Sequence, residues 1–417
     1  QGAIHYKQIY LTCDGACILK KSRTNKKYKA SELMNVKKLK IKKGRYIVVE
    51  PSGDDARLYL TDKNGSRLSK GYYGSFIIYK DSEGYYIVNK VNIEKYLYSV
   101  VASEMPASFG LEALKAQAVC ARSYVYRQME KGDYEAYHAQ IDDSTNYQVY
   151  NKSDIHELDL EAVKETAGEV MYSQKEIVNA YYFSSSCGYT SGMEIWNQEE
   201  VYPYLKAKSL IVTEKGDFDL SSEKAFRKYI SSTKKRSYDS SSKYFRWEAV
   251  AEPSACLKEI KQRIQQRDKI NPQNFTYYST TGKSEKKVAS LKGFGGIIDL
   301  SCSKRSKSGA ILELTIEFEF GKVKIKSEYN IRSVVGCALE KITYADGSVD
   351  RSAEFVPSAY FSISFHKNSR RFELAGGGNG HGMGMSQYGA AGMADDGWDY
   401  KKILKFYYDG VTVKRIT

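Results

Sequence analysis

The chain has 417 residues, of which 42% are hydrophobic, and a formal net charge of +14 from 64 basic and 50 acidic residues. This length allows roughly two or three ordinary domains, and no stretch approaches the roughly eighteen consecutive apolar residues of a membrane-spanning helix. The lysines are scattered and not interleaved with aromatic residues, so the charge favours solubility or attraction to polyanions and argues against a nucleic-acid partner.

The first residues lack the pattern of a signal peptide, and strand-like sequence begins at Gln8, so we expect a natural anchor that this chain lacks. The seven cysteines form no CxxC pair and match no zinc-finger spacing. Cys13 and Cys17 could bridge across a turn, whereas free or buried thiols explain most of the others better.

Residues 1–90 alternate between apolar and polar side chains in short runs separated by turn signals, which predicts a β-rich region with hairpins. A helix is predicted over 92–102. A longer one follows, with Pro106 and Ser108 marking its start and Gly132 its end.

The rest of the chain mixes both kinds of element. The predicted helices are 157–166, 254–267 and 400–408, and the predicted strands are 169–172, 177–183, 297–300, 310–316 and 321–325. A polar, serine-rich stretch at 213–246 indicates an insertion or a domain edge. Because strands and helices do not alternate regularly, we predict an α+β fold and not a doubly wound α/β fold.

The first candidate for chemistry is Glu104, which falls between two predicted helices just before a proline. Such junctions present side chains into clefts, although a lone glutamate is usually a solvated charge. On the next helix, Arg122 lies at the edge of an apolar stripe, where a guanidinium is costly unless it is paired or faces a polar cleft. A structural ion pair and a cation near Glu104 are equally consistent with this spacing.

The second candidate is the glycine-rich string 376–390, which contains His381 and Gln387. Its glycines permit positive φ and a close approach of the backbone to a ligand. No βαβ unit surrounds the string, which argues against a dinucleotide site. His381 could be an acid, a ligand or a sugar contact, or it could only fill a tight turn.

The third candidate is the serine-rich end of an apolar run, where Ser185 suggests a hydroxyl-lined edge. A nucleophilic serine needs a base, and His381 could serve in principle. The nucleophile-elbow pattern GxSxG is absent, so a serine hydrolase is the weaker interpretation.

Together these strings resemble one family, stage II sporulation protein D and its amidase-enhancer relatives. The matching segments occur in the family's order along residues 85–417, and they are 91–106, 111–124, 143–150, 182–190, 202–206, 380–390 and 403–408. The resemblance implies a two-lobed catalytic region with a long cleft that degrades peptidoglycan during engulfment of the forespore.

The resemblance also assigns roles to residues. Glu104 matches the family's catalytic glutamate and Arg122 its required arginine, so both are expected to be catalytic. The expected substrate-binding residues are Tyr204, Lys206, His381, Ser185 and Gln387. Some members bind zinc shortly after the arginine helix. Here His138 is present but the residues around Ser144 supply no cysteine, so we expect no metal and no cofactor.

The implied reaction is that of a lytic transglycosylase acting on peptide-stripped glycan strands. Glu104 would protonate the glycosidic oxygen and then accept the proton of the muramic hydroxymethyl group, which closes an anhydro ring. Hydrolytic glycosidases need a second carboxylate instead. The mechanism requires Glu104 in its acid form at rest, which a partly desolvated pocket favours.

We therefore predict four segments: a β-rich N-terminal region at 1–84, the catalytic core at 85–212 and 346–417, and an inserted β-rich substrate or partner domain at 213–345. The expected partners are peptidoglycan glycan strands, an amidase and a membrane-anchored sporulation complex, at an extracytoplasmic, membrane-anchored location. The main alternative is a non-catalytic wall-binding enhancer of a separate amidase, and a polyanion-binding protein ranks last.

Overall fold

A computed structural model of the chain describes residues 4–22, 24–143, 147–151, 153–198, 201–213, 217–232, 236–281, 284–366 and 371–416. These residues form two compact units, one of residues 1–180 and 412–417 and one of residues 181–411. The mixed α+β class is confirmed. The finer division into four segments stays a prediction.

The helices of the described residues are α1 (Ile93–Glu104), α2 (Leu111–Met129), α3 (Glu157–Glu165), α4 (Glu223–Ile230), α5 (Leu257–Ile270), α6 (Glu328–Gly336), α7 (Gln387–Asp395) and α8 (Tyr400–Tyr407). None of them is both long and apolar enough to cross a membrane.

The strands are β1 (Tyr10–Cys13), β2 (Cys17–Lys21), β3 (Thr24–Tyr28), β4 (Met34–Asn35), β5 (Arg45–Pro51), β6 (Leu58–Thr61), β7 (Ser75–Lys80), β8 (Tyr85–Lys90), β9 (Glu169–Ser173), β10 (Glu176–Ile177), β11 (Tyr182–Phe183), β12 (Trp247–Ala251), β13 (Phe275–Thr281), β14 (Ser284–Val288), β15 (Ile297–Arg305), β16 (Ile311–Phe318), β17 (Gly321–Lys326), β18 (Leu339–Tyr344), β19 (Val349–Asp350), β20 (Phe361–His366), β21 (Arg371–Gly376), β22 (Met385–Ser386) and β23 (Thr412–Arg415).

The first unit begins with a β-rich part, as its alternating sequence predicts. An antiparallel sheet runs in the order β3-β2-β5-β7-β8, and a smaller sheet in the order β4-β1-β6. Along β5 and β7 the side chains of Ile47, Val49 and Ile78 point into a shared apolar core, while alternate residues face outward. Cys13 and Cys17 lie in this core as free thiols, so the bridge considered from the sequence is not formed.

The first unit continues with α1, α2 and α3 and the sheet β10-β9-β23. The Asn92 side chain accepts the Glu94 N–H at 2.9 Å and caps α1, close to the predicted start. The next helix starts later than predicted because Ala107–Phe109 forms a 3-10 turn and Gly110 takes a positive φ of 84°. α2 is buried on more sides than its apolar stripe predicts, since Gln117 and Cys120 are also buried.

The second unit contains two five-stranded antiparallel sheets, β19-β18-β12-β21-β20 and β14-β13-β17-β16-β15, which share an apolar core with α5 and α6. Three helices were missed from the sequence: α4 in the serine-rich stretch, α6 in a region predicted to be all β, and α7 at the end of the glycine-rich string. The predicted strand 177–183 was wrong as a single element, because only its ends pair, in β10 and β11.

Candidate functional site

Glu104 is the last residue of α1, so it leaves the helix at the point where Met105 turns the chain into extended backbone. Its side chain is partly buried. The Val149 N–H donates to Glu104 Oε1 at 2.7 Å, which fixes the orientation of the carboxyl group. Val149 belongs to the matched string 143–150, of which residues 144–146 lie outside the described residues.

The charge of Glu104 acts on two nearby tyrosines, Tyr96 and Tyr124. Burial raises the pKa of Tyr124 to about 12, and the charge of Glu104 adds to that rise. Burial also raises the pKa of Tyr96 well above its ordinary value, with contributions from Tyr150 and from Glu104. The Tyr96 ring stacks on Tyr150 with centroids 4.9 Å apart. Glu104 therefore lies near phenol groups that stay protonated, of which Tyr96 donates to Gln148 Oε1 at 3.0 Å and Tyr150 to Asn89 Oδ1 at 2.8 Å.

Arg122 has a different environment. Its side chain is 0% exposed, and it makes a two-point ion pair with Glu94, from Nε at 2.9 Å and from Nη2 at 2.6 Å. Nη1 also donates to the Glu169 carbonyl at 3.0 Å. Glu94 and Glu104 are ten residues apart on α1, about 15 Å at the helical rise. The structure does not bring Arg122 to Glu104, because its partner is at the opposite end of that helix.

The glycine-rich string of the second unit forms a tight loop around His381. Gly382 and Gly384 have φ of 86° and 77°. A Cβ on Gly384 would lie 1.9 Å from the Tyr181 carbonyl, so only glycine fits there. The Met383 N–H donates to His381 Nδ1 at 3.1 Å, and Nε2 donates to the Tyr182 carbonyl at 2.9 Å. Both ring nitrogens are thus bound to backbone groups.

Burial lowers the pKa of His381, with Arg332 adding to the effect and Glu328 opposing it. The ring is accordingly a neutral imidazole held in one tautomer, and it offers an aromatic face in place of a mobile proton. Trp196 and Phe183 pack beside it, with centroids 5.6 Å and 5.5 Å from the imidazole. Phe183 is buried, whereas His381 and Trp196 are partly exposed, and an exposed aromatic edge or face suits contact with a sugar ring.

Ser185 and Gln387 are both buried. Ser185 N–H donates to the Asn379 carbonyl at 3.1 Å, and the Asn379 N–H donates back at 2.7 Å, which joins the serine string to the glycine loop. Gln387 is the first residue of α7. These positions support the loop from inside the unit, and their role in substrate binding stays a prediction.

Asp239 is a buried acid beneath this loop, and it was not predicted from the sequence. The Ser186 N–H and hydroxyl donate to it at 2.8 and 2.7 Å, and the Ser386 hydroxyl, which also caps α7, donates to it as well. Burial raises the pKa of Asp239 to about 6, although these hydrogen bonds lower it. Its place in a serine-rich stretch gives no signal of burial.

Tyr204 and Lys206 lie on a separate segment of the second unit. Tyr204 is buried and stacks on Tyr202 with centroids 5.4 Å apart. Lys206 is 64% exposed, and its Nζ lies 3.2 Å from Asp409 Oδ2, beside a second ion pair from Lys208 to the same carboxylate. Burial alone would raise the pKa of Asp409, but the two lysines outweigh it and the pKa is lowered. Lys206 can therefore reach a ligand.

The described part of the chain contains no group of three or more metal-ligating side chains that could hold a metal ion. His138 is exposed in a left-handed turn, and Ser144 lies outside the described residues. Asp143 is a further acid that the sequence reading did not assign. It raises the pKa of Tyr96 together with Glu104, after burial and Tyr150.

Comparisons with known proteins place the chain among bacterial sporulation and cell-wall proteins. The SpoIID family model, described as "Stage II sporulation protein", matches residues 81–172, and a domain of unknown function (DUF8618) matches residues 190–384. The first match contains both Glu104 and Arg122. These findings support the resemblance to stage II sporulation protein D and the amidase enhancer, and the family model itself matches residues 81–172.

The amidase enhancer of Bacillus subtilis (strain 168) is 29% identical over 330 residues, which cover 76% of this chain but 40% of that protein. Stage II sporulation protein D of Bacillus amyloliquefaciens is 26% identical over 385 residues, which cover 89% of this chain and 88% of that protein. Stage II sporulation protein D of Bacillus subtilis (strain 168) is 26% identical over 340 residues, which cover 78% of this chain and 75% of that protein. The chain thus spans less than half the length of the amidase enhancer.

Proposed function

We propose that this chain is an extracytoplasmic lytic transglycosylase, membrane-anchored in its full-length form, that cleaves peptide-stripped peptidoglycan strands and leaves anhydro-muramic ends. The observation that carries the proposal is the placement of Glu104 at the end of α1, where it is partly buried, oriented by the Val149 N–H and close enough to Tyr96 and Tyr124 to raise the pKa of both. One acid that is held in place can serve the leaving oxygen first and the attacking hydroxyl second.

The pairing of Arg122 with Glu94 supports this role. A free guanidinium beside Glu104 would stabilise the carboxylate and oppose the acid form that the first step needs. Because Arg122 is neutralised at the other end of α1, it does not impose that cost. Arg122 acts as a positioning residue in this account, since it ties α2 to the helix that carries Glu104.

The substrate contacts in the second unit fit a sugar polymer. His381 and Trp196 offer aromatic faces, and the exposed Lys206 offers a cation to a lactyl carboxylate or an acetamido oxygen. None of these contacts requires a metal or a cofactor.

A second candidate is favoured by the name of one relative. A protein called amidase enhancer suggests that the chain binds the wall and stimulates a separate amidase without cutting glycan. In that case Glu104 would be a structural acid whose removal changes stability but no product.

The two functions are separated by the ends that the protein leaves on purified, peptide-stripped glycan strands. Mass spectrometry of the digest should show anhydro-muramic ends for the unaltered chain. Reducing ends would overturn the transglycosylase proposal in favour of a hydrolase, with Asp143 as the candidate second carboxylate, and an Asp143→Asn variant would test that. No new ends on the stripped strands, combined with faster release of stem peptides from intact peptidoglycan when an amidase is added, would favour the enhancer.

A further inference from the structure

The outward face of the first unit's five-stranded sheet carries a groove that none of the roles above uses. The register pairs Tyr46 with Tyr79 and Tyr79 with Tyr86, so one row of three tyrosines crosses β5, β7 and β8. The next row on this face includes Val48 and Ile77. These two rows line a groove of about 870 Å³, which is in the size range of small-ligand sites.

The rings in this tyrosine groove form an ordered stack. Tyr79 lies parallel to Tyr86, with centroids 5.0 Å apart and an interplanar angle of 9°. Tyr79 also stacks on His138, with centroids 4.9 Å apart and an interplanar angle of 20°. Tyr46 leans on Tyr79 at 5.3 Å and is 55% exposed. The neighbours hold the rings in place, so a ligand that stacks on the outer rings pays little ordering entropy.

The charges on the groove balance. Its ionised lining residues are Glu50 and Asp81 against Lys80 and Lys90. A polyanion such as nucleic acid would gain nothing net here, although the whole chain is strongly basic. Aromatic rings flanked by both polar donors and polar acceptors fit a hydroxyl-rich ligand that has apolar ring faces, which describes a pyranose sugar.

A peptide fits this face less well. An extended peptide adds to a sheet through unpaired backbone groups at an edge strand. Here β5 is paired on both sides, with β2 and β7, and β7 is paired with β5 and β8. β8 is the edge strand of this sheet, but a peptide added to it would lie beside the sheet and not over the tyrosine row, so the face itself offers side chains and no backbone ladder.

We propose that the tyrosine groove is a second glycan-binding site, which holds N-acetylhexosamine units of a strand while the Glu104 region acts on another part of it. The groove shares no lining residue with Glu104 or with the side chains around it. The inference rests on the proposed function only in naming peptidoglycan as the polymer that supplies the sugar. The site would hold the chain on the wall between cleavage events.

The test is a titration of the full chain with a hexamer of N-acetylglucosamine, followed by calorimetry. This probe contains no muramic acid, so it cannot form an anhydro ring and reports binding without chemistry. Tyr46→Ala should weaken binding about five- to tenfold through loss of one stacked ring, whereas Tyr46→Phe should keep most of the affinity. Tyr329→Ala removes a ring of the second unit that is 46% exposed and should change nothing.

If Tyr46→Ala and the unaltered chain bind the hexamer with equal affinity, the proposal that the groove binds glycan is wrong. Binding of stem peptides or of a thymidine oligonucleotide with no binding of the hexamer would overturn it as well. Because Tyr46 is exposed, the thermal midpoint of the variant should match that of the unaltered chain. If wall glycan acquires no anhydro ends while the hexamer still binds through Tyr46, the enzyme proposal fails and the groove stands.

Discussion

The two ends of α1 show how one helix can hold a buried charge pair and present a reactive acid. At its first turn, Glu94 is closed into an ion pair with the fully buried Arg122. At its last residue, Glu104 is partly exposed and oriented by one backbone N–H. The comparison shows that two acids on one helix can differ in availability: Glu94 is held in an ion pair with Arg122, whereas Glu104 is partly exposed at the helix end.

The sharpest way to break this comparison is to remove Arg122. Arg122→Ala leaves the Glu94 carboxylate without its partner, and the loss of one member of a buried pair costs about 3–5 kcal/mol. Urea unfolding should show this fall in the free energy of unfolding. Arg127→Ala removes two more exposed ion pairs on the same helix, with Glu130 and Glu176, and should cost within about 0.5 kcal/mol. An Arg122→Ala variant that is fully stable but inactive would contradict the positioning role.

Asp239 extends the comparison to the second unit, since it is a buried charge beneath the glycine loop. Its folded pKa of about 6 exceeds the ordinary 3.8, so the folded protein binds this proton more tightly than the unfolded chain. The stability from protonated Asp239 is fully present below about pH 4 and is lost as the pH rises to about 6. This rise in pKa corresponds to a contribution on the order of 3 kcal/mol to the free energy of unfolding.

Asp239→Asn should therefore flatten the dependence of unfolding free energy on pH between 4 and 7. Asp395→Asn, which changes an exposed aspartate, is the matched control and should leave that dependence unchanged. A variant of Asp239 with the slope of the unaltered chain would show that this carboxyl group does not titrate in the window.

Lys206 is exposed, unlike the buried Arg122 and Asp239, so its substitution should change stability least. Because its side chain is 64% exposed, Lys206→Met should change the free energy of unfolding by within about 0.5 kcal/mol. We expect the KM for glycan strands to rise several-fold. Lys208→Met removes the less exposed partner of the same Asp409 and should destabilise more than it affects KM. The reverse pattern would remove Lys206 from the substrate-binding set.

The sequence predicted the elements with clear periodicity. The alternation along β5 and β7 and the helical spacing of α1 and α2 were sufficient, because each pattern depends on neighbours within a few residues. The helices α4, α6 and α7 were missed because each is only eight or nine residues long, and helices this short owe their helical state to packing. Periodicity placed Arg122 at the edge of a stripe, yet its partner lies 28 residues earlier, and spacing along a chain does not report such tertiary pairs.

The candidate site was predictable to a similar degree. The family strings identified Glu104 and the His381 loop. They did not show that both His381 nitrogens bind backbone groups, that Ser185 and Gln387 are buried, or that Asp239 lies beneath them. These facts depend on which segments of the second unit fold against one another.

The most direct measurement is the single-turnover rate of cleavage of peptide-stripped glycan strands by Glu104→Gln. Loss of a general acid and base should slow the reaction by about 10²- to 10⁴-fold, while the thermal midpoint stays close to that of the unaltered chain. Glu161→Gln, which changes an exposed glutamate on α3, should cleave at the unaltered rate. Cleavage by Glu104→Gln at that same rate would contradict the account.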